Sequence, residues 1–294
     1  MNKVLITGNS GMLGKDLCWV FKQNGDVVVG IDINEFDEKK IDKHYKIDLC
    51  NKESVLKILK QEKPDIIIYA AAIVDLNTCE EDKKLADCLH VTIPELISSN
   101  KKNEAKFMYI STDSVFDGIK GNYSENELPN PLNYYSFSKL IGEKAVLQNK
   151  NCLVIRTNIF GFNNPLKQSL AEWAITNLHS EKKIIGFDDV IFNAIYTLDL
   201  ATIIQKISKN DFKGILNIGC KGAWSKYNFL QYLAKSLGYK EKLIEKGNSD
   251  SISFKIKRPL KTNLNTKKIE AITLIPTLEE SVINFCQNLK KIQL

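Results

Sequence analysis

Two side chains four residues apart, Tyr135 and Lys139, are the clearest candidates for chemistry in this sequence of 294 residues. On a helix, residues at this spacing lie on the same face. A free tyrosine has a pKa of about 10 and transfers protons poorly at neutral pH, but a cation held beside it favours the phenolate and lowers that pKa. The pair is suited to protonating a carbonyl oxygen as hydride arrives at the carbonyl carbon. Tyr135 would be the acid, and Lys139 would lower its pKa.

A hydroxyl group is expected beside this pair, at the end of the strand that precedes the helix. Thr112 stands there, within the stretch Ser111 to Gly118, and its hydroxyl could hydrogen-bond the substrate carbonyl. The alternative is that Thr112 is an ordinary strand-end residue at a turn. A Tyr-x-x-x-Lys spacing also arises readily by chance in a chain with 10 tyrosines. The neighbouring Tyr134 has Ser138 four residues on, so only Tyr135 is paired with a lysine.

A glycine-rich loop near the start of the chain points to a dinucleotide. Its glycines follow a strand-like run and precede a helix-like one. Glycines at this spacing allow a tight turn, close approach of the backbone to a pyrophosphate, and close helix–strand packing, with the phosphates on the helix N-terminus. We expect a nicotinamide dinucleotide here, contacted also by Tyr135 and by Lys139 at the nicotinamide ribose. The loop residues expected to contact it are Gly8, Ser10, Gly11, Met12, Leu13 and Gly14.

The second predicted strand ends at Asp32, 18 residues beyond Gly14. An acid at this place accepts hydrogen bonds from the adenosine ribose hydroxyls. It would repel a 2′-phosphate, and no arginine or lysine follows it before Lys39. The sequence therefore favours NADH over NADPH. Further cofactor contacts are expected at Ile33, Asp48, Leu49, Ala70, Ala71 and Ala72. Plain packing explains the last five equally well.

Short apolar runs alternate with helix-like stretches along the first half of the chain. Strands that are apolar throughout belong to buried parallel sheets, and this alternation is typical of a doubly wound, Rossmann-type α/β domain. The predicted strands are 4–7, 27–32, 65–72, 107–111, 152–157 and 215–218. The predicted helices are 13–23, 52–61, 85–100, 135–148, 166–178, 198–207, 226–237 and 278–289. We expect a cofactor domain over 1–157 with a return segment near 186–213, and a smaller α/β substrate-binding lobe over 158–185 and 214–294.

The composition is that of an ordinary globular protein, with 44% hydrophobic and 26% charged residues. A chain of this length buries a sizeable core without disulfides or metals. The seven cysteines are scattered and never form C-x-x-C, which favours reduced thiols and argues against a disulfide framework or a metal site. The longest apolar run, from Ile66 to Val74, is too short to cross a bilayer. The sequence predicts a cytoplasmic protein without membrane contact.

The net charge of +6 lies wholly in the last 60 residues, and only two basic residues are arginines. The guanidinium group offers a planar, bidentate fork for phosphates and carboxylates. Arg156 ends an apolar strand, where a structural hydrogen-bonding role is favoured. Arg258 lies in the basic stretch 255–259 and is expected to contact a substrate diphosphate, with a solvated loop as an equal alternative. Nucleic-acid binding is disfavoured, because the stretch has no interleaved aromatic residues.

Taken in order, these motifs resemble the extended short-chain dehydrogenases/reductases, and among them the dTDP-4-dehydrorhamnose reductases. The resemblance covers most of the chain. It includes Tyr123-x-Glu125, Pro129-x-Pro131, Gly142-Glu143 and Arg156-Thr157. It implies a catalytic triad of Thr112, Tyr135 and Lys139, and reduction of the 4-keto group of a nucleotide-linked 6-deoxyhexose. The expected substrate is a nucleotide-diphosphate sugar, the expected assembly is a homodimer, and the expected substrate contacts are Val74, Ser114, Phe116, Asn158 and Arg258.

Three positions depart from related enzymes. Asn158 and Ile159 stand where the family has Ser-Trp, whose tryptophan faces the substrate. His90 stands where related enzymes often have asparagine, and a structural role is favoured for it over a catalytic one. Ser114 replaces the glutamate of related dehydratases, which disfavours sugar dehydration. The alternatives to the reductase are a sugar-nucleotide epimerase and a catalytically silent regulatory subunit on the same fold.

Overall fold

The computed structural model of the chain describes residues 1–100, 105–163 and 169–292. Its strands are β1 (Lys3–Thr7), β2 (Val27–Asp32), β3 (Lys43–Lys46), β4 (Ile66–Tyr69), β5 (Lys106–Thr112), β6 (Cys152–Thr157), β7 (Ile159–Phe160), β8 (Ile184–Phe187), β9 (Ile191–Phe192), β10 (Ile195–Tyr196), β11 (Gly214–Ile218), β12 (Trp224–Ser225) and β13 (Ile244–Gly247). Its α-helices are α1 (Met12–Gln23), α2 (Lys52–Glu62), α3 (Leu76–Glu81), α4 (Lys83–Asp87), α5 (Ile93–Ser98), α6 (Tyr134–Val146), α7 (Leu170–His179), α8 (Thr197–Ser208), α9 (Lys226–Leu237), α10 (Lys267–Glu270) and α11 (Leu278–Ile292).

Seven strands form one parallel sheet in the order β11-β6-β5-β4-β1-β2-β3. Strand β4 reads Ile-Ile-Ile-Tyr, and all four of its residues are buried. Such strands need helices on both faces of the sheet. Val4 and Ile6 of β1 point into the core that contains α1 and α8, whereas Leu5 points into the core with α2 and α5. This is the predicted doubly wound, Rossmann-type fold.

The strand order creates a crevice at one edge of the sheet. From β1 the chain builds outward through β2 and β3, and it then returns to place β4 and β5 on the other side of β1. Loops that leave the carboxyl ends of β1 and β4 therefore diverge, and ligands of open α/β sheets bind in such crevices. The glycine loop follows β1, the alanine run follows β4, and Thr112 ends β5.

A smaller lobe is built from three two-stranded sheets, β7 with β10, β8 with β13 and β9 with β12, together with α7, α9 and α11. Phe160 packs edge-on against both Phe229 and Phe285, which joins these elements into the main core. Residues 214–218, predicted to belong to the substrate lobe, instead form β11 at the edge of the main sheet. Their backbone pairs along the whole of β11 with β6, so the predicted boundary at 214 falls too early.

Two predicted helices differ from the structure. The stretch predicted as one helix over 85–100 is divided into α4, a π-helical turn over Cys88–Thr92, and α5. The beginning of the helix predicted at 166–178 lies outside the described residues, and α7 spans Leu170–His179. None of the helices in the described ranges has the length and apolar character needed to cross a membrane.

The prediction of reduced thiols is wrong for one pair of cysteines. Cys50, which follows β3, and Cys88, in the π-helical turn, form a disulfide across 38 residues of sequence. The two cysteines are separated in sequence by α2 and β4, and the fold brings them together. Their spacing in the sequence therefore does not reveal the pair. The other five cysteines are buried and form no disulfide.

Candidate active site

The glycine loop after β1 is packed so tightly that side chains are excluded from it. Gly8 has a φ of +70°, and a Cβ there would lie 2.8 Å from the Cα of Ala71. A Cβ on Gly14 would lie 2.0 Å from the carbonyl oxygen of Gly8. The Gly8 N–H donates to the carbonyl of Ile31 at 2.8 Å. The loop is thus held close to β2 and β4, and its residues fit the cradle that a pyrophosphate requires.

Helix α1 begins directly after this loop with no capping side chain. Its N-cap is Gly11, which makes no side-chain hydrogen bond to the first turn. The N–H groups and the positive dipole end of α1 therefore favour an anion at the loop. Leu13 is buried in the core, so its side chain has a packing role and only its backbone can face a phosphate. Met12 is partly buried.

Asp32 ends β2 and is turned toward the glycine loop. Its carboxylate accepts hydrogen bonds from the backbone N–H of Ser10 at 3.0 Å and of Asn34 at 2.9 Å. The residue is only 7% exposed, so its orientation is fixed by these contacts. Ile33, the next residue, is largely exposed. Asp32 thus presents a fixed acceptor beside the loop, as recognition of ribose hydroxyls requires.

The other predicted cofactor residues divide into exposed and buried ones. Asp48 is exposed, and its carboxylate accepts the backbone N–H of Cys50 at 2.8 Å. Leu49 is buried in the core, where packing explains it. The alanines at 70–72 follow β4 and are partly or fully exposed, and the Ala71 N–H donates to Thr7 Oγ1 at 3.3 Å. Val74, four residues beyond Ala70, is exposed.

Helix α6 carries the predicted catalytic pair. The Asn133 side chain caps it, which places Tyr135 in the first turn. Lys139, one turn later, is 2% exposed. Its ammonium group donates to the carbonyl of Ile110 at 2.6 Å and lies 4.0 Å from the centre of the Tyr109 ring. Both contacts come from β5, so the helix is held against the strand that supplies Thr112.

Thr112 and its neighbours complete this end of the sheet. The Thr112 hydroxyl lies beside Tyr135, where it favours the phenolate form. Asp113 is buried and accepts hydrogen bonds from Asn158 Nδ2 at 2.7 Å, from Ser114 Oγ at 3.2 Å and from Thr112 Oγ1 at 3.2 Å. Burial raises the pKa of Asp113, and these hydrogen bonds oppose the rise. The structure therefore brings the predicted residues Thr112, Ser114 and Asn158 together around an aspartate that sequence reasoning did not single out.

Burial is the largest influence on the pKa values of both Tyr135 and Lys139. It raises the pKa of Tyr135, and the hydrogen bond from Thr112 opposes the rise. It lowers the pKa of Lys139 to about 7, with the Glu143 carboxylate opposing. The predicted lowering of the Tyr135 pKa by Lys139 is therefore wrong for this structure. The physical reason is that both groups lose their hydration, which penalises phenolate and ammonium alike.

Phe116 is not brought to the site. It is fully buried and stacks on Tyr123 with ring centroids 4.2 Å apart. The Arg156 guanidinium also lies near the Phe116 ring, 5.1 Å from its centre. The Arg156 guanidinium also donates to Glu143 of α6, from Nη2 at 2.7 Å and from Nε at 3.0 Å. The predicted structural role of Arg156 is confirmed, and the same packing encloses Phe116 in the interior.

Arg258 borders a cavity of about 480 Å³ in the smaller lobe. Three aromatic side chains, Trp173, Phe187 and Phe254, line it together with Lys226. The Arg258 guanidinium lies 4.7 Å from the centre of the Phe254 ring. Burial lowers the pKa of Lys226, and the nearby charge of Arg258 lowers it further. Two neighbouring cations on an aromatic wall favour a ligand that has both an anionic and a planar part.

Two residues of this site were missed by reasoning from the sequence. Asp113 could have been found from its place between Thr112 and Ser114, since a buried strand end rarely accommodates an unpaired carboxylate. Lys226 gave no signal among 41 basic residues. Its position depends on β8, α7 and the 252–258 segment meeting at one cavity.

Residues 1–290 match the family described as the RmlD substrate binding domain. The chain belongs to this family. The match spans nearly the whole chain, so it includes the glycine loop, α6 and the smaller lobe. The predicted resemblance is confirmed at the level of the family.

Individual relatives show the same breadth. The chain is 30% identical over 222 residues to a dTDP-4-dehydrorhamnose reductase of Aggregatibacter actinomycetemcomitans, covering 73% of this chain and 70% of that protein. It is 26% identical over 277 residues to the methionine adenosyltransferase 2 subunit beta of Xenopus laevis, covering 91% and 81%. The crystal structure of dTDP-4-dehydrorhamnose reductase from Bacillus anthracis in complex with NADP has the same fold, with a TM-score of 0.82, 23% identity, and coverage of 97% and 98%.

The lowered pKa of Lys139 makes folding stability depend on pH. The folded protein releases this proton at a pKa of about 7, whereas a lysine in an unfolded chain holds it up to about 10.4. Between these values the unfolded state binds more protons, so this residue makes the free energy of unfolding rise with pH, by at most about 1.4 kcal/mol per pH unit. The Lys139→Met variant should lack this component of the rise. Urea unfolding of both proteins between pH of about 7 and about 9 measures the difference.

The exposed Lys183 is the matched control, because its ammonium group pairs with Glu245 at the surface. Lys183→Met should keep the pH dependence of the wild type. Equal slopes for the wild type and Lys139→Met would show that Lys139 remains charged in the folded protein, which contradicts the prediction.

Proposed function

We propose that this protein is an NAD(P)H-dependent oxidoreductase that reduces the 4-keto group of a nucleotide-linked 6-deoxyhexose, in the biosynthesis of a deoxysugar for surface polysaccharide. The observation that carries the proposal is the grouping of Thr112, Tyr135 and Lys139 at the carboxyl end of β5, on the same edge of the sheet as the glycine loop after β1. The identity to a dTDP-4-dehydrorhamnose reductase supports the same substrate class. The nucleotide and the particular sugar are proposed only at the level of a nucleotide-diphosphate sugar.

The residues of the chain have distinct tasks in this reaction. When bound, the reduced nicotinamide supplies hydride to the keto carbon. Tyr135 donates its phenolic proton to the keto oxygen, and its high pKa keeps that proton in place until negative charge develops on the oxygen. Thr112 turns its one donor from Asp113 to the same oxygen when the substrate is bound. Lys139 stabilises the phenolate that remains and donates to the nicotinamide ribose, since its ammonium group has free donors besides the one on Ile110.

The Tyr135→Phe variant tests the role of the phenol. Removing a positioned acid typically lowers turnover by about 100-fold or more, so kcat should fall by at least that factor. NADH affinity should change little, because the ring remains. Turnover of 4-keto sugar nucleotides, followed by NADH oxidation, and calorimetric NADH binding give the two readouts.

Tyr134→Phe is the matched control for this prediction. The hydroxyl of Tyr134 donates to Asp87 at 2.9 Å, away from the site, so its loss should leave kcat close to that of the wild type. Normal turnover by Tyr135→Phe would rule out the proposed acid. Equal losses in both variants would indicate a general disturbance of α6.

For the cofactor, we propose a preference for NADH with NADPH as a weaker alternative. The fixed carboxylate of Asp32 opposes a 2′-phosphate, whereas a cavity of about 370 Å³ beside Ser10 is bordered by Lys15, Lys39 and Lys40. Because these lysines would attract a 2′-phosphate, they oppose the preference for NADH that Asp32 creates. The NADP bound by the Bacillus anthracis protein supports NADPH as a usable cofactor.

Calorimetric titration with both reduced cofactors tests this preference. NADH should bind several-fold more tightly, on the order of 1 kcal/mol, to the wild type. Asp32→Asn should reduce the difference by removing the repulsion, and Lys39→Gln should increase it by removing an attraction. Tighter binding of NADPH to the wild type would reverse the assignment.

We propose that the smaller lobe, with its three two-stranded sheets and α7, α9 and α11, holds the nucleotide diphosphate, and that the seven-stranded sheet with its flanking helices holds the dinucleotide. The aromatic cavity with Lys226 and Arg258 supports this division. Arg258→Gln should raise the substrate KM by about tenfold, because a charge-assisted hydrogen bond is lost, and should change kcat little. Steady-state kinetics measure both.

Lys255→Gln makes the same change of charge three residues away, on a largely exposed side chain. It should leave KM nearly unchanged. Equal effects of the two variants would mean that the basic stretch acts only through its overall field. An effect of Arg258→Gln on kcat alone would place Arg258 outside substrate binding.

The second candidate is a regulatory subunit without catalytic activity, because the chain is also similar to the methionine adenosyltransferase 2 subunit beta. The intact Thr112, Tyr135 and Lys139 favour the enzyme, since a silent subunit gains nothing from this arrangement. An epimerase uses the same pair but returns its hydride, so net oxidation of NADH distinguishes it from the reductase. The homodimer and the cytoplasmic location stay predictions.

A further inference from the structure

His90 is fully buried, and it occupies the middle of the π-helical turn Cys88–Thr92. Such turns are uncommon and often mark functional sites. This turn connects α4 to α5 and packs on α6, and the loop after β4 contacts it through Ile73. It is thus close to both the catalytic helix and the cofactor crevice.

The hydrogen bonds of the His90 ring define its tautomer. Nε2 lies 3.1 Å from the backbone N–H of Ile73, which can only donate, so Nε2 is the acceptor. In a neutral ring the proton is then on Nδ1. Nδ1 lies 2.8 Å from Ser138 Oγ, to which it donates. Ser138 Oγ in turn donates to the Tyr135 carbonyl at 3.0 Å. Every donor in this chain has one acceptor, and the direction of the chain is determined.

The same ring contacts the catalytic tyrosine directly. The rings of His90 and Tyr135 meet edge to face, with centroids 5.7 Å apart and an angle of 83°. Aromatic pairs prefer this arrangement. His90 therefore restrains both the backbone and the ring of Tyr135.

The backbone of His90 restrains the lysine through a second residue. Its carbonyl accepts the hydroxyl of Tyr109 at 2.8 Å, and the ring of Tyr109 lies beneath the Lys139 ammonium group at 4.0 Å. Gly142 makes this approach of the carbonyl to α6 feasible, because a Cβ there would lie 1.9 Å from the His90 oxygen. The two halves of the catalytic pair thus share one support.

We propose that His90 is a positioning residue that joins the loop after β4 to the catalytic helix through Ile73 and Ser138, and so sets the place of Tyr135 relative to the cofactor. This inference rests on the proposed reductase function. His90 takes no part in proton transfer, because burial and the nearby Lys139 lower its pKa to about 3. Both of its ring nitrogens are, moreover, already engaged within the protein.

Selective ¹⁵N labelling of histidine tests the hydrogen-bond chain without a substrate. The chain has only three histidines, so His90 can be assigned by comparison with the His90→Phe variant. We expect the Nδ1–H tautomer, unchanged from pH of about 5 to about 8. An Nε2–H tautomer, or titration of the ring within this range, would overturn the proposal.

Variants that each retain one contact of the His90 ring test whether His90 positions Tyr135. His90→Phe retains the aromatic edge but neither hydrogen bond, and should lower kcat by about tenfold or more. Asparagine keeps a donor near Nδ1 and loses the acceptor for Ile73, so His90→Asn should mainly weaken NADH binding. Glutamine keeps an acceptor near Nε2 and loses the donor to Ser138, so His90→Gln should mainly lower kcat. Each should recover part of the loss seen in His90→Phe.

His179→Phe, at an exposed position near the end of α7, is the control and should match the wild type. Lower melting temperatures of the His90 variants with unchanged kcat and NADH affinity would show a purely structural role and reject the proposal. Failure of the wild type to oxidise NADH with any 4-keto sugar nucleotide would reject the reductase instead. In that case the tautomer of His90 and the NADH affinities of the variants still test its positioning role.

Discussion

A buried ion pair between Arg156 of β6 and Glu143 holds α6, the helix of the predicted catalytic pair, against the sheet. Both side chains are about 2% exposed, and Ser111 of β5 donates to the same carboxylate. Removing one partner of such a pair typically costs about 3–5 kcal/mol, because the other charge is left buried and unpaired. Helix α6 therefore cannot shift along the strands without losing these contacts. The positions of Tyr135 and Lys139 follow from this constraint.

The glycine loop imposes the corresponding constraint on the other side of the crevice. The contact of Gly14 with the Gly8 carbonyl brings α1 against β1, and Gly8 itself lies against Ala71. The glycine loop and the Tyr135–Lys139 pair are thus placed by two independent packing contacts on one parallel sheet.

Features that depend on local spacing could be predicted from the sequence. The strand at 27–32 and the helix at 226–237 have the predicted bounds, because the strand is a continuous apolar run, the helix is a periodic one, and both have clear ends. The glycine loop and the Tyr135–Lys139 spacing belong to the same class. Phe116 could not be placed, because the short turn at Asp113–Val115 rotates its side chain toward Tyr123. The contacts of His90 with Ile73 and Ser138 likewise need two elements that are distant in sequence.

The disulfide between Cys50 and Cys88 closes a covalent ring of the chain that contains α2 and β4. The loop after β4, which forms one wall of the crevice, lies inside that ring. In the chain-entropy account, closing a loop of this length removes about 4 kcal/mol of conformational freedom from the unfolded chain. In the unfolded chain, too, the disulfide keeps the two ends of this segment together. The cofactor crevice is therefore partly specified by chain topology as well as by packing.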